Sequence, residues 1–98
     1  MTQAFTGLRV IDTTHVLAGP FASYQMAVLG AEVIKVEHPR DPDEARAQGS
    51  DRSLNDRGMG TAFMSQAANK QALALDLKTP EGVEALRRLA ATADVFVE

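Results

Sequence analysis

Cysteine and tryptophan are absent from this chain, and tyrosine occurs once. Without cysteine there is no disulfide framework, no thiolate nucleophile and no cysteine-based metal cluster. Excess positive charge is missing as well: ten Lys and Arg stand among thirteen Asp and Glu, giving a net charge of -3 and a pI near 5.3. Binding to a phosphate backbone needs a basic patch, so nucleic acid is not an expected partner. No apolar run approaches the roughly 20 residues that cross a bilayer, and the N-terminus lacks the basic start and apolar stretch of a signal peptide. A cytoplasmic protein with no membrane partner is the expectation.

Glycine is scarce where nucleotide binding would need it. The first strand-to-helix turn holds only Gly19, and Gly58-Met59-Gly60 is followed by Phe63 where a third glycine would stand. A nicotinamide fingerprint needs three glycines, for the tight turn, the pyrophosphate approach and the helix packing. Neither Ser23 nor Ser65 lies on a Gly-x-Ser-x-Gly elbow, which removes the hydrolase reading. His15 and His38 have no metal-ligand spacing, so no metal site is expected.

What is present is organised around Leu8 to Glu37. Val10 and Ile11 form a short strand that ends in the polar Asp12-Thr13-Thr14, and His15 to Gly19 is a turn. Pro20 suits the first helical position, where its missing N–H would be unpaired anyway. The helix that follows carries no charge and is expected to be buried on all sides, with Gly30 as its left-handed stop. Glu32 to Glu37 reads as a second strand covered on both faces, parallel to the first.

From His38 to Gly60 polar residues, prolines and glycines dominate, which predicts a long loop. Its alternative roles are a lid, an oligomer contact, a mobile segment or a solvated excursion. Thr61 to Ala68 is a short apolar helical cover, broken at Asn69-Lys70. Leu73, Leu75 and Leu77 alternate with Ala72, Ala74 and Asp76, predicting a third strand over 72–77. Thr79 as N-cap, Pro80 at the first helical position and Glu81 in the first turn open a second helix. Its Val83, Leu86, Leu89 and Ala90 make one apolar face, and Val95 to Val97 begins a fourth strand. A chain stopping on a buried strand would leave a raw sheet edge, so these 98 residues read as a fragment of a longer protein. The fold class is α/β, a Rossmann-like parallel sheet of βαβ units.

In such a sheet ligands bind at the carboxyl ends of the strands. His15 stands there, and so does Lys78, whose ammonium and the helix N-terminus behind it form the best anion site in the chain.

Five blocks carry more than pattern: Asp12-Thr-Thr-His-Val-Leu-Ala-Gly-Pro20, Leu29-Gly-Ala-Glu-Val-Ile-Lys-Val-Glu37, Asn69-Lys70, Leu75-Asp-Leu-Lys-Thr-Pro-Glu-Gly82 and Ala93-Asp-Val-Phe-Val-Glu98. In this order they resemble the N-terminal part of the family III CoA-transferases, the CaiB/BaiF family, which includes formyl-CoA:oxalate CoA-transferase and the α-methylacyl-CoA racemases. The resemblance implies that residues 1–98 are the N-terminal CoA-binding part of a Rossmann-like large domain, in an interlocked homodimer. It implies CoA as the substrate thioester, acyl-CoA and carboxylic acids as substrates, and an aspartyl intermediate on a residue beyond this chain. The CoA contacts it implies, together with the strand-end residues above, are His15, Val16, Leu17, Ala18, His38, Arg40, Leu75, Asp76, Leu77 and Lys78. None of them is catalytic.

Leu17 replaces the glutamine that formyl-CoA transferases carry, which argues against a formate or oxalate specialism. His38 stands where many members have an arginine, with Arg40 as its substitute. The inserted stretch from Pro39 to Ala68 favours a transferase over a racemase. A non-catalytic CoA- or nucleotide-binding module is the alternative of another class.

Overall fold

The computed structural model describes residues 2–98. Four parallel strands, β1 (Arg9–Asp12), β2 (Glu32–Glu37), β3 (Lys70–Ala74) and β4 (Val95–Val97), lie in the order β3-β2-β1-β4. Helix α1 (Ala18–Val28) joins β1 to β2, and α4 (Pro80–Ala90) joins β3 to β4. Between β2 and β3 run a 3-10 turn (Glu44–Ala47), α2 (Arg52–Asp56) and α3 (Thr61–Ala67). The α/β class, the parallel pairing and the strand count follow the sequence reading.

The register places Val10 beside Val33 and Val95, and Ile11 beside Ile34 and Phe96. Val10, Val33, Ala27 and Ala31 form the core, with Phe5, Leu8, Met26, Val95 and Val97 packed against it. The molecule is a slab with extents of 39 × 38 × 19 Å. That flatness corrects the expectation of a fully buried α1. Pro20, Ser23 and Ala27 are buried against the sheet, whereas Phe21 remains 51% and Leu29 43% exposed, because a single sheet covers one side of the helix.

Helix α1 also starts two residues before Pro20. The shift loses no hydrogen bond, because Pro20 still falls among the first four residues, whose N–H groups have no partner inside the helix. Its end is as expected: Gly30 adopts φ +108°, and the amides of Gly30 and Ala31 reach back to Ala27 and Met26 at 3.1 and 3.0 Å.

The third strand is displaced from the expected 72–77 to Lys70–Ala74. Its one partner among the described residues, β2, ends at Glu37, which sits opposite Ala74, so beyond that pair there is no ladder to join. The Leu75 amide makes one more bond to the Glu37 carbonyl, 3.0 Å, and the chain then turns at Asp76. Before the strand, Asn69 makes the break with φ +64°. The stretch from His38 to Gly60 is likewise more than a solvated loop: its 3-10 turn is capped by Asp43, and Asp43, Ala45 and Gly60 are buried.

Helix α4 opens as the sequence reading expects. The Thr79 hydroxyl accepts from the Gly82 amide at 3.1 Å, Pro80 and Glu81 occupy the first turn, and Arg87 and Arg88 the last. Gly82 is there because of close approach. A Cβ on it would lie 1.9 Å from the Asp76 carbonyl oxygen, so only hydrogen lets the helix seat on the Asp76–Lys78 turn.

Candidate functional site

At the carboxyl ends of β1 and β2, and at the start of β3, the chain buries charge. Asp12, fully buried, accepts from the Ser23 hydroxyl at 2.6 Å, the Thr14 amide at 2.8 Å, the Thr14 hydroxyl and the Lys70 ammonium at 3.1 Å. Burial alone would raise its pKa, but the Ser23 and Thr14 hydrogen bonds, with Lys70 beside them, hold it below the ordinary value. Lys70 is less well served, donating among the described residues to Asp12 and to the Pro20 carbonyl at 3.0 Å and to nothing else. Burial therefore pushes its pKa down against the pull of Asp12.

A second cluster ties the long connection to the sheet. Lys35 and Asp43, both nearly inaccessible, pair at 2.8 Å. Lys35 also donates to the Thr14 carbonyl at 2.9 Å, and Asp43 accepts from the amides of Val16 at 3.1 Å and Ala45 at 2.9 Å. The Asp43 amide in turn donates to Glu37 at 2.8 Å, and Arg46 grips the same Glu37 carboxylate with two nitrogens at 2.7 and 2.9 Å. Phe63 of α3 lies over the Arg46 guanidinium, 3.8 Å from ring centre to Cζ. Burial would raise the Asp43 and Glu37 carboxyls; hydrogen bonds from Lys35 and Arg46 respectively outweigh it and hold both below ordinary values. The Glu37 hydrogen bond raises Arg46 in return.

Between these clusters sits Val16 at φ +70°. The Leu17 amide bonds back to the His15 carbonyl at 3.1 Å, closing a three-residue γ-turn of the strained, positive-φ kind. A β-branched residue held there costs about 1–3 kcal/mol and persists only where its surroundings over-determine it.

Beside the turn opens a cleft of about 350 Å³ that brings together His15, His38, Leu75, Leu77 and Lys78, with Thr13, Val36, Glu37 and Asp41. Half of the sequence-predicted site residues thus line one cavity. Asp76 lies at its border, where its carboxylate accepts from the Lys78 amide at 2.9 Å and faces His38 Nε2 at 3.5 Å and Arg40 at 3.4 Å. The hydrogen bond from the Lys78 amide, opposed by desolvation and helped by the proximity of His38 and Arg40, keeps Asp76 below its ordinary pKa. His38 Nδ1 accepts from the Arg40 amide at 3.0 Å, so its proton is placed on Nε2, toward Asp76. Among the described residues the Lys78 ammonium pairs with no carboxylate.

Val16, Leu17 and Ala18 are not on this cleft. Val16 faces the Lys35–Asp43 cluster, and Leu17 is 63% exposed as the residue before α1. Arg40, mostly exposed, reaches the site only through Asp76. Sequence reasoning missed Asp12, Lys35, Glu37, Asp43, Arg46 and Lys70 as a connected set. One signal for it was visible: Lys35 interrupts Val33-Ile34 and Val36 in a strand expected to be covered on both faces, and a buried charge there demands a partner.

Comparison with known proteins adds to this geometry. Residues 5–98 match CoA-transferase family III. The chain is 47% identical over 92 residues to succinyl-CoA:glutarate CoA-transferase of Mus musculus, covering 94% of this chain and 20% of that one. It is 43% identical over 98 residues to formyl-CoA:oxalate CoA-transferase of Rhodopseudomonas palustris, covering 100% of this chain and 22% of that one. The crystal structure of a CaiB/BaiF family protein from Brucella suis superimposes with a TM-score of 0.82 at 32% identity, over 98% of this chain and 25% of that chain. The chain therefore spans about a fifth to a quarter of the length of the relatives it matches.

Proposed function

Because this chain belongs to CoA-transferase family III, we propose that the whole protein moves CoA from an acyl-CoA thioester to a free carboxylate, and that the cleft at the strand ends is part of its CoA site. The observation that carries this reading is the convergence of His15, His38, Leu75 and Lys78, from three separate segments, on one cavity of about 350 Å³. The chemistry of the lining fits a phosphate-bearing thiol ester. Lys78 offers an ammonium unpaired among the described residues in front of the α4 N-terminus, and Leu75 and Leu77 offer apolar surface. Of the carboxylates nearby, Glu37 is neutralised by Arg46 and Asp76 is engaged by the Lys78 amide, His38 and Arg40, whereas Asp41 on the lining has no ion pair among the described residues and opposes an anion more.

In this reading Lys78 and the first turn of α4 hold phosphate, His15 and His38 border the cleft, and the thioester supplies an activated acyl group. The nucleophilic carboxylate of the aspartyl intermediate is assigned to a residue outside residues 1–98. Asp12 and Asp43 are each committed to several donors in the interior, and Asp94 accepts from the Arg9 amide at 3.0 Å. Both named relatives carry a dicarboxylate in their names, glutarate and oxalate. The same class is proposed as acceptor here. The interlocked homodimer and the cytoplasmic location belong to the same proposal.

The test is CoA exchange by the whole protein. Succinyl-CoA is mixed with glutarate, malate, oxalate and monocarboxylates, and the esters are separated chromatographically. A new CoA ester of a dicarboxylate supports the reading; epimerisation of a 2-methylacyl-CoA with no exchange across the panel overturns it. Lys78→Ala is expected to raise KM for the acyl-CoA about tenfold, the loss of one charge-assisted contact, with kcat little changed.

A further inference from the structure

We infer that the buried Lys35–Asp43 pair is a clamp for the first turn, holding Val16 in its positive-φ conformation and thereby presenting His15 to the cleft. The pair holds the backbone that leads into the strained residue at two points. Lys35 holds the Thr14 carbonyl at 2.9 Å, two residues before Val16, and Asp43 holds the Val16 amide itself at 3.1 Å. Both grips come from outside the turn: Lys35 from β2 and Asp43 from the start of the long connection. The clamp is itself held. The Asp43 amide is fixed by Glu37, Glu37 by Arg46, and the Phe63 ring lies over Arg46 and 5.9 Å from the Lys35 ammonium, so α3 roofs the cluster.

A buried ion pair is a poor way to gain stability, since apolar residues of similar volume often do as well. It is a good way to fix position. Here its surplus hydrogen-bonding capacity is spent on two main-chain groups of one turn, and that turn contains a β-branched residue in a backbone region that glycine favours. Glycine at position 16 would need no clamp. Lys35 and Asp43 are thus positioning residues. They touch neither the cleft nor, in this account, the substrate, and act through the Thr14–Leu17 backbone.

The binding arm of the test rests on the CoA reading of the cleft; the backbone arm does not. In the whole protein, Lys35→Met/Asp43→Ala removes both grips without leaving a buried charge, and adding Val16→Gly removes the strain they oppose. The double variant is expected to raise KM for the acyl-CoA about tenfold with kcat within about twofold, and the triple variant to recover most of that loss. Without substrate, hydrogen exchange at the Leu17 amide, whose bond to His15 closes the turn, should accelerate about tenfold in the double variant and slow again in the triple. Lys35→Met alone, which removes the Thr14 grip and leaves Asp43 to the Val16 and Ala45 amides, should show the same order at smaller size.

A native-like circular dichroism spectrum with unchanged KM and unchanged Leu17 exchange overturns the clamp, and so does a loss that Val16→Gly fails to restore. If the protein exchanges no CoA at all, the functional reading fails while the Leu17 amide still decides the clamp.

Discussion

Asp12 and Lys70 share one buried ion pair, yet Asp12→Asn is expected to destabilise the protein much more than Lys70→Met. The asymmetry follows from who serves whom. Among the described residues Asp12 has four donors, of which Lys70 is one; Lys70 has two acceptors there, of which Asp12 alone is an anion. Asparagine leaves a buried ammonium with one carbonyl at 3.0 Å, and an uncompensated buried charge costs about 3–5 kcal/mol. Methionine removes the ammonium, keeps the apolar stem in place, and leaves Asp12 with Ser23 and Thr14, at a cost of about 1–2 kcal/mol.

A gap of about 3 kcal/mol between the variants corresponds to about 1–3 M in urea midpoint at ordinary m-values. Urea denaturation followed by circular dichroism measures it. The pH dependence gives a second check. Asp12 is depressed in the folded state below 3.8, so its stabilisation is complete above that value and is lost as pH falls through the folded-state pKa. Between pH 3.8 and the lowered folded-state pKa, the difference between wild type and Asp12→Asn should shrink by about 1.4 kcal/mol per pH unit. Equal destabilisation by the two substitutions, or a difference that stays constant through this range, refutes the reasoning.

Gly82→Ala is expected to cost about 1–3 kcal/mol through overpacking against the Asp76 carbonyl and to raise KM for the acyl-CoA, since the Asp76–Lys78 turn must move. Thermal unfolding and steady-state kinetics test the two effects together. Arg46→Lys keeps the charge but loses the two-nitrogen grip on Glu37 and the flat contact with Phe63, and is expected to cost about 1–2 kcal/mol. Glu37 should then titrate closer to its ordinary value, which carboxylate-detected NMR reads directly.

The parts of the fold that were legible are those decided within a few residues. Gly30 ends α1 because the chain must turn left-handed there, and Thr79-Pro80-Glu81 opens α4 because a cap, a fixed φ and an acidic first turn act locally. β3 was misplaced for a non-local reason. Its Leu73-Leu75-Leu77 alternation is real, but a strand needs a partner, and β2 stops opposite Ala74. The all-round burial expected of α1 failed similarly: apolar composition states what a helix tolerates, while the slab determines what it receives. At the site, His15, His38 and Lys78 could be placed together because parallel strands bring their carboxyl ends to one side. Val16 could not be seen as strained, since nothing in Thr-His-Val-Leu dictates a positive φ.

By itself the sequence determined the α/β class, the succession of the four strands with α1, α3 and α4 between them, and the family, because propensity, capping and hydrophobic period are local and each of the five blocks is contiguous; it did not reveal the 3-10 turn or α2 in the long connection. Only the tertiary structure decided which charges are buried together. Asp12 meets Lys70 across 58 positions, and Asp43 meets Lys35 and Val16 across 8 and 27. Those meetings depend on β3 lying outside β2 and on the long connection folding back over the sheet end. A charge in an apolar strand announces that it needs a partner; which partner answers is settled by where the chain returns in space.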